Sequence, residues 1–477
     1  MSAYYPTMGL EIHAELLTNS KVFCTCSAEF GGTPNSRCCP VCSGLPGTLP
    51  VLNRRAVEYI IKAGYVMNCS ISRFTKWDRK NYFYPDLPKA YQISQMPRPV
   101  CLDGRVDINV NGTEKSIRIN RIHLEEDAGK LVHDEVNRIS LADYNRCGIP
   151  LIEIVTEPDF HSADEVIAFM EKVKLLLQYA GICDCKMEQG SIRCDVNISI
   201  APKGSAELGT RTELKNLNSL KAIAKAIEVE IERQEELLDN GERVIQQTRR
   251  FNEALGETTA MRSKEDAHDY RYFPDPDIPP IIFTEEELEA IRESLPEMPE
   301  QRVKRYVEEY GIKRADADLI VGSKKICDFF DEALAAYDNP KALANYINGE
   351  LMRRINLGEA DMDTLKFSGR EFAQLVELLQ TDKLSQANAK LVLGEMLQNG
   401  GTPKDIADAQ DLWIKEDNDL LAKVVDEIIA NNPRPVEQYK NGDKKVFGFF
   451  MGQANKALKG AASPKAIQDY ITKKLSE

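Results

Sequence analysis

Gly9-Leu-Glu-Ile-His-Ala-Glu-Leu16 is the run of residues that best predicts how the first part of this chain folds. Glu11, His13 and Glu15 alternate in it with apolar residues, and successive side chains of a β-strand point to opposite faces of a sheet. The alternation therefore predicts a strand with one packed face and one wet face. Antiparallel sheets commonly have this arrangement, because one of their faces can stay in contact with water.

The same alternation recurs in three later stretches. They are residues 191–199 with Arg193, Asp195 and Asn197 on one face, residues 210–215 with Arg211, Glu213 and Lys215 on one face, and residues 117–127, which end in His123-Leu-Glu-Glu-Asp127. Together the four stretches predict an antiparallel sheet. Because strong helical patterns follow them, the predicted fold class is α+β.

The wet faces of these strands are unusual in carrying short carboxylates, a histidine and arginines. Oxygen ligands with an occasional imidazole suit Mg²⁺ or Mn²⁺, and arginine can hold a phosphate or carboxylate with two N–H groups. The combination favours phosphoryl chemistry on a magnesium-bound nucleotide. The chain has no Gly-x4-Gly-Lys-Ser/Thr loop, so the nucleotide would not sit on a P-loop. Taken one strand at a time, the same residues are more typical of surface salt bridges, whereas the four strands together favour a metal site.

Five cysteines lie close together between residues 24 and 42. Cys24-Thr-Cys26 and Cys39-Pro-Val-Cys42 form two close pairs separated by twelve residues, a spacing that can place four thiolates round one tetrahedral zinc. Cys38 is then a spare thiol. Buried free thiols or a disulfide are the alternative. A zinc held by four thiolates has no open position for a substrate, so this zinc would be structural.

Two stretches mix aromatic with basic residues, Lys76-Trp-Asp-Arg-Lys-Asn-Tyr-Phe-Tyr-Pro-Asp86 and Tyr270-Arg-Tyr-Phe-Pro-Asp275. The candidates for binding phosphate are Arg79, Lys80 and Arg271, and those for stacking on a base or ribose are Tyr82, Tyr84 and Tyr272. Aromatic residues beside proline are also typical of core and turn packing.

The length of 477 residues is too great for one core, so we expect several domains. Residues 1–281 mix strands with a few helices; one helix begins after Ser162, with Glu165 completing a capping box, and another runs from about Ser219 towards Gly241. Prolines between residues 274 and 280 mark a boundary. Residues 282–401 read as helical, and a Gly-Gly-Thr-Pro break separates them from a helical tail at 402–477.

The composition excludes some classes of protein. No segment approaches the ~20 apolar residues of a membrane span, and the N-terminus lacks the pattern of a signal peptide, so we expect a cytoplasmic protein with reduced thiols. The net charge of −14 argues against nucleic-acid binding over the whole surface. Residues 432–477, however, hold nine Lys and Arg against four Asp and Glu. Their lysines can face phosphate, or can simply be solvated: Lys444, Lys445, Lys456, Lys459, Lys473 and Lys474.

The sequence also lacks a hydrolytic nucleophile of a familiar kind. It contains no Gly-x-Ser-x-Gly elbow, no Ser-rich amidase-like loop and no Cys–His pairing signal outside the cysteine region.

These residues resemble a known family, the B subunits (GatB) of tRNA-dependent amidotransferases. The matching runs are Gly9–Leu16, Asp78–Asp86, Lys89–Gln95, His123–Lys130, Gly148–Ile154, Gly190–Asn197, Glu213–Asn218, Asp269–Pro274, Gly452-Gln453 and Leu458–Gly460. The motifs are long, and they extend over nearly the whole chain.

The resemblance implies a fold and an activity. The first domain would have the antiparallel-sheet cradle of glutamine synthetase, followed by helical domains that hold the outer parts of a tRNA. A mischarged Glu-tRNA(Gln) or Asp-tRNA(Asn) would be phosphorylated on its side-chain carboxylate by ATP and magnesium. Ammonia from a partner amidase, the A subunit, would then displace the phosphate, and a small C subunit would complete the complex. Glutamine hydrolysis by the partner would explain the missing nucleophile.

The family's metal motifs fall on six positions of this sequence: Glu11, His13, Glu125, Glu126, Asp195 and Glu213. Glu125 and Glu126 are neighbours and point oppositely on a regular strand, so we expect one direct ligand and one supporting residue. The expected nucleotide-binding residues are Arg79, Lys80, Tyr82, Arg193, Lys215 and Arg271. The alternative function is a zinc-stabilised scaffold that binds tRNA and leaves the chemistry to a partner.

Overall fold

The structure is a computed structural model that describes residues 3–134, 136–261, 269–414, 418–440, 443–458, 462 and 464–476. The chain forms two compact units, Met1–Met298 and Pro299–Glu477. The first unit contains the strands and the second is helical. The chain therefore has a mixed α/β architecture with a large sheet and many helices.

The first unit is built from sixteen described strands, four described α-helices and a 3₁₀ turn, Met187–Gln189. The strands are β1 (Tyr4–Glu15), β2 (Ser70–Ile71), β3 (Phe74–Thr75), β4 (Asp78–Asn81), β5 (Tyr91–Ser94), β6 (Cys101–Val110), β7 (Thr113–Glu126), β8 (Lys130–Asp134), β9 (Ile139–Asp143), β10 (Pro150–Thr156), β11 (Ile192–Pro202), β12 (Thr212–Lys215), β13 (Gln247–Asn252), β14 (Glu257–Ala260), β15 (Phe273–Pro274) and β16 (Ile281–Ile282). The helices are α1 (Arg54–Val66), α2 (Ala163–Tyr179), α3 (Leu220–Asp239) and α4 (Glu285–Glu293).

Nine strands form one sheet in the order β14-β13-β12-β11-β1-β10-β7-β6-β2. The four predicted strands are confirmed as β1, β7, β11 and β12. The prediction of a wholly antiparallel sheet needs correction, because β12 and β13 run parallel. The chain between them forms α3, and a helical crossover of this kind is what a parallel pair requires.

One face of the sheet is packed and the other is open. Ile12, Ile154 and Val196 lie on the packed face and are fully buried in a core that also holds Phe169 of α2 and Ile223 of α3. The alternation in the strands therefore leaves their charged residues on the opposite face. This open face carries the candidate site.

The helices of the first unit begin where their capping residues predict. Ser162 accepts the backbone N–H of Glu165, and Ser219 accepts that of Ala222. The predicted capping box at α2 differs in one bond, because the Glu165 carboxylate accepts the N–H of His161. That residue precedes the cap, so the carboxylate still satisfies a backbone donor at the helix start.

Three smaller sheets accompany the large one: β15-β4-β5, β16-β3 and the hairpin β8-β9. Helix α4, which follows the prolines, packs on α1 within the first unit. The division of the chain into three domains, with boundaries at residues 281 and 401, remains a prediction. The structure groups the chain into two compact units.

The second unit contains twelve described α-helices. They are α5 (Pro299–Glu308), α6 (Arg314–Val321), α7 (Lys324–Ala336), α8 (Pro340–Tyr346), α9 (Met352–Asn356), α10 (Gly369–Gln380), α11 (Gln386–Asn399), α12 (Pro403–Ala409), α13 (Asn418–Asn431), α14 (Pro433–Lys440), α15 (Phe447–Leu458) and α16 (Pro464–Ser476). A π-helical turn, Ile347–Leu351, joins α8 to α9, and a 3₁₀ turn, Lys444–Val446, precedes α15. No helix in the described ranges is long and apolar enough to cross a membrane.

The last four helices share a small core that includes Val425, Phe450 and Ile467. The predicted basic residues of this segment lie on the 3₁₀ turn, on α15 and on α16, except Lys459, which lies outside the described residues.

Candidate active site

Strand register brings charged residues into rows across the open face. Opposite His13 on β1 stand Arg193 on β11 and Glu153 on β10, and Glu153 in turn stands opposite His123 on β7. In the next row, Glu11 stands opposite Asp195. Cross-strand neighbours lie close enough for their side chains to touch, so four strands contribute to one cluster.

The imidazole of His13 is at the centre of this cluster. Its Nε2 lies 3.3 Å from a carboxylate oxygen of Glu153, 3.5 Å from Glu11 and 3.9 Å from Glu125. Asp195 belongs to the same group, with ligand atoms of Glu11, His13 and Asp195 all within 4.8 Å of one another. Four of the six predicted metal-site residues therefore converge.

A second histidine closes the far side of the cluster. His123 is buried, and its Nε2 lies 3.4 Å from Glu125 and 3.6 Å from Glu153. The Ser94 hydroxyl donates to Glu125 at 3.3 Å. These contacts hold two carboxylates in place towards His13.

The charges of the cluster compensate one another. Burial by itself would lower the pKa of His13, but the hydrogen bond to Glu153 and the charges of Glu125, Glu153 and Glu11 raise it to about 9. Burial would likewise raise the pKa of Glu153, but His123, His13 and Lys80 lower it to about 2. For Glu11, burial first and Glu153 second raise the pKa. Without a metal, a proton on His13 thus offsets part of the negative charge of the surrounding carboxylates.

This donor set fits a hard divalent cation. Mg²⁺ and Mn²⁺ take mostly oxygen ligands, and ligands about 2.1 Å from an octahedral ion lie about 3 Å apart. The distances from His13 Nε2 to the three carboxylates, 3.3, 3.5 and 3.9 Å, are longer than that by up to about 1 Å, so side-chain movements of this size would enclose an ion.

Two predicted metal residues lie outside the cluster. Glu213 on β12 accepts from the Thr248 hydroxyl at 2.6 Å and pairs with Lys215 at 3.1 Å. Lys215 also pairs with Asp195 at 2.5 Å, so it stands between Glu213 and the cluster. Strand alternation sends Glu126 to the other side of the sheet, as expected.

Glu126 lies in a different environment from Glu125. It pairs with Lys89, accepts the N–H of Ile93 at 3.0 Å, and lines a cavity of about 210 Å³. Cys24 and Cys42 line the same cavity. The structure does not bring Glu126 to the His13 cluster.

The predicted nucleotide-binding arginines are mostly engaged by carboxylates. Arg79 pairs with Asp275 at 2.7 Å and with Asp277 at 2.9 Å. Arg193 donates to both oxygens of Asp127 at 3.0 Å. Arg271 is exposed, with its guanidinium 5.9 Å from the ring of Phe83.

Lys80 lies near the cluster, next to a group of four tyrosines. Burial would lower the pKa of Lys80, but Glu125 foremost, then Tyr272 and Tyr270, raise it. Its Nζ lies 4.9 Å from the ring centre of Tyr270, which meets Tyr82 edge to face at 6.3 Å. Tyr82 also stacks on Tyr84 at 5.9 Å. An aromatic surface thus adjoins the carboxylates.

The four predicted zinc ligands also converge. The Sγ atoms of Cys24, Cys26, Cys39 and Cys42 lie within 4.8 Å of one another, and those of Cys39 and Cys42 are 3.9 Å apart. A tetrahedral zinc with Zn–S bonds of about 2.3 Å places its sulfurs about 3.8 Å apart. A hydrogen bond from Cys24 first, and then the Cys39 N–H and Lys21, lower the pKa of Cys42 to about 4. A thiolate beside Lys21 suits a metal.

Sequence reasoning assigned no role to Glu153 or His123. Glu153 is a lone carboxylate inside the apolar run Pro-Leu-Ile-Glu-Ile-Val of β10, and a charge buried in such a run was an available signal. His123 lies within the motif His-Leu-Glu-Glu-Asp, and only the register of β7 against β10 reveals its contact with Glu153.

Comparison with known proteins gives consistent matches. Residues 6–289 match the profile of the GatB/GatE catalytic domain, and residues 328–475 match that of the GatB domain. The chain is 54% identical over 474 residues to the B subunit of the aspartyl/glutamyl-tRNA(Asn/Gln) amidotransferase of Ruminiclostridium cellulolyticum, covering 99% of this chain and 98% of that one. It is 50% identical to the proteins of the same description from Caldicellulosiruptor saccharolyticus, over 477 residues and 99% of each chain, and from Thermoanaerobacter pseudethanolicus, over 474 residues, 99% of this chain and 100% of the relative.

Proposed function

Because this chain belongs to the GatB family, we propose that it is the B subunit of a tRNA-dependent amidotransferase, as its full-length relatives are named. It would convert Glu-tRNA(Gln), Asp-tRNA(Asn) or both to the amidated forms. The observation that carries the proposal is the convergence of Glu11, His13, Glu125, Glu153 and Asp195 on one open face. The sheet that presents them would serve as the glutamine synthetase-like cradle of this family.

The reaction has two balanced steps. A side-chain carboxylate oxygen of the esterified amino acid attacks the γ-phosphorus of ATP, and ADP leaves. Ammonia then attacks the acyl carbon, phosphate leaves, the nitrogen gives up one proton to the solvent, and an amide results. Both steps concentrate negative charge on phosphate oxygens, and a site that stabilises this charge accelerates them.

The carboxylates and His13 would hold Mg²⁺, which supplies charge neutralisation at the phosphates. His123 and Ser94 would fix the carboxylates in the orientation that the cation needs, through their contacts with Glu125 and Glu153. Lys80, whose charge interacts with that of Glu125, would meet an anionic group of the substrate. Tyr82, Tyr84 and Tyr272 would stack on a base or ribose. Arg79 and Arg193, which are held by aspartates, would instead fix the walls of the site.

The four cysteines would hold a structural Zn²⁺. Their thiols converge round Cys42 beside Lys21, and they lie on the Glu126 side of the sheet. Zinc would therefore stabilise the N-terminal fold without joining the reaction.

Partners follow from the proposed chemistry. The sequence carries no familiar hydrolytic nucleophile, so ammonia would come from an amidase, the A subunit, with a small C subunit completing a heterotrimer. The lysines near the end of the chain would contact tRNA phosphates. Since its substrate is a charged tRNA of protein synthesis, we place its action in the cytoplasm.

A scaffold without chemistry of its own is the second candidate, and the open face argues against it. A surface that only binds RNA gains nothing from clustered carboxylates, which repel phosphate. Consumption of ATP that depends on mischarged tRNA distinguishes the two.

The test is Glu11→Ala in the complex purified with its partner subunits. Transamidation of Glu-tRNA(Gln) should be abolished, while glutamine hydrolysis largely persists. Glu114→Ala, at an exposed position of β7, is the matched control. Full transamidation by the Glu11→Ala complex would refute the assignment.

A further inference from the structure

The open face of the sheet changes its charge from one side to the other. Beyond the acidic cluster, the row that contains Glu11 and Asp195 continues to Lys215 on β12 and then to Arg250 on β13. Neighbouring strands lie about 4.8 Å apart, so Arg250 starts about 10 Å from Asp195. Positive side chains thus border the acidic cluster on its β12–β13 side.

The direction of the Arg250 side chain follows from its neighbours on β13. Thr248 donates to Glu213, which places Thr248 on the open face. Alternation puts Arg250 on that face too and sends Arg249 to the other, where Arg249 contacts Thr258 and Glu230. Arg250 is therefore presented beside Lys215.

The backbone at this point is locked in register. Asn216, directly after Lys215, adopts a left-handed conformation with φ of 66°, which asparagine tolerates better than most residues. Its amide donates to the carbonyl of Phe251 at 3.3 Å. This bond ties the end of β12 to β13 and keeps Arg250 at its place in the row.

Lys215 and Arg250 differ in whether their charges are already paired with carboxylates. Lys215 is committed to Asp195 and Glu213, and these carboxylates raise its pKa against the opposing effect of burial. Arg250 is exposed, and within the described part of the chain its guanidinium contacts no carboxylate. An uncommitted guanidinium beside a metal-ligating cluster is suited to the phosphate oxygens that the metal does not hold, since its planar N–H groups match two of them.

We propose that Arg250, supported by Lys215, forms a phosphate-binding subsite at the β12–β13 end of the open face, for the phosphate chain of a nucleoside triphosphate. The inference rests on the proposed ATP-dependent function and adds a residue that the sequence did not single out. The nucleotide's phosphates would extend from the acidic cluster along the row towards Arg250.

The test compares Arg250→Ala, Arg250→Lys and the control Arg105→Ala in the complex with its partners. Arg105 is an exposed arginine on β6, six strands along the sheet from β13. Dissociation constants are measured by calorimetry for ATP with Mg²⁺, for AMP and for Mn²⁺ alone. We expect Arg250→Ala to weaken ATP binding about tenfold or more, the effect of losing one charge-assisted hydrogen bond, with Arg250→Lys intermediate. AMP and Mn²⁺ binding should change less than about twofold, as should all three for Arg105→Ala.

An Arg250→Ala complex that binds ATP as tightly as the wild type overturns the subsite and leaves the proposed function standing. Equal losses for ATP and Mn²⁺ also overturn it, because they place the effect in the metal cluster. A wild-type complex that binds Mn²⁺ but no ATP, with or without tRNA, refutes the proposed function itself.

Discussion

Glu153→Gln is the most direct test of how the His13 cluster works. The substitution keeps the shape of the side chain and removes its charge. Glu153 contacts His13 at 3.3 Å and His123 at 3.6 Å, and it is one of three carboxylates that raise the pKa of His13. Loss of its charge should therefore lower the pKa of His13 and also weaken the binding of a cation.

The size of the effect follows from the shift itself. Raising the pKa of His13 from 6.5 to about 9 corresponds to a free energy of about 3.4 kcal/mol in favour of the protonated ring. This figure already includes the opposing effect of burial. Glu153 supplies the hydrogen bond and one of three charges, so its neutralisation should remove at least about 1.4 kcal/mol, or about one pKa unit. Loss of one carboxylate ligand should weaken Mn²⁺ binding by about 10- to 100-fold.

The assay is a pH titration of histidine ring signals by NMR in the metal-free protein, which has only five histidines to resolve. His13→Gln identifies the signal, and melting temperatures check that each variant is folded. A His13 signal that titrates near 6.5 in the wild type would refute the reasoning. So would a Glu153→Gln protein in which the His13 pKa is unchanged.

Three further predictions concern the proposed metal sites and their surroundings. At pH 7, Mn²⁺ binding should release about one proton from His13, because its pKa of about 9 lies above that pH. The apparent affinity for Mn²⁺ should therefore rise as the pH approaches 9. Calorimetry in two buffers of different ionisation enthalpy measures the proton release, and its absence would exclude His13 as a ligand. Glu126→Gln should leave the Mn²⁺ affinity within about threefold of the wild type, because Glu126 pairs with Lys89 on the side of the sheet opposite His13. A loss of Mn²⁺ affinity as large as that of Glu153→Gln would contradict this separation of the two sides. Cys42→Ser should abolish zinc binding and lower the melting temperature by several degrees, whereas the control Cys38→Ser should keep the zinc. Elemental analysis measures the zinc content. A full equivalent of zinc in Cys42→Ser would show that the four thiols are not the zinc site.

Much of the open face could be predicted from alternation alone. Glu11, His13 and Asp195 lie on strands whose period of two is plain, so their shared face was readable before their contacts were known. The partners of Arg79 and Arg193 could not be read in this way. Asp275 is 196 residues from Arg79, and Asp127 is 66 residues from Arg193, and no local pattern links residues so far apart.

The parallel pair escaped prediction for a related reason. The direction of β13 depends on where α3 returns the chain to the sheet, and neither β12 nor β13 carries that information in its own residues. Because Arg250 reaches the open face only through this pairing, its position beside Lys215 is a property of the fold.

An irregularity in β7 decides which carboxylate reaches the His13 cluster. The pairing of β7 with β10 shifts register between Val155 and Thr156, so that Asn120 is an extra residue in β7. Ahead of the shift, Ile117 and Ile119 are buried in the core; beyond it, the core positions are Ile122 and Leu124. One inserted residue exchanges the two faces of a strand.

The exchange has a functional consequence. Were β7 regular, Glu125 would fall on the same side as Ile117 and Ile119, and the even-numbered positions would face the open side. The shift instead delivers His123 and Glu125 to His13, and it leaves Glu126 to pair with Lys89 beside the thiols. The hydrogen bond from Asn120 to Glu157, at 2.7 Å, holds the extra residue at the surface. The same bulge thus determines both the composition of the proposed magnesium site and the charge of the cavity on the other side of the sheet.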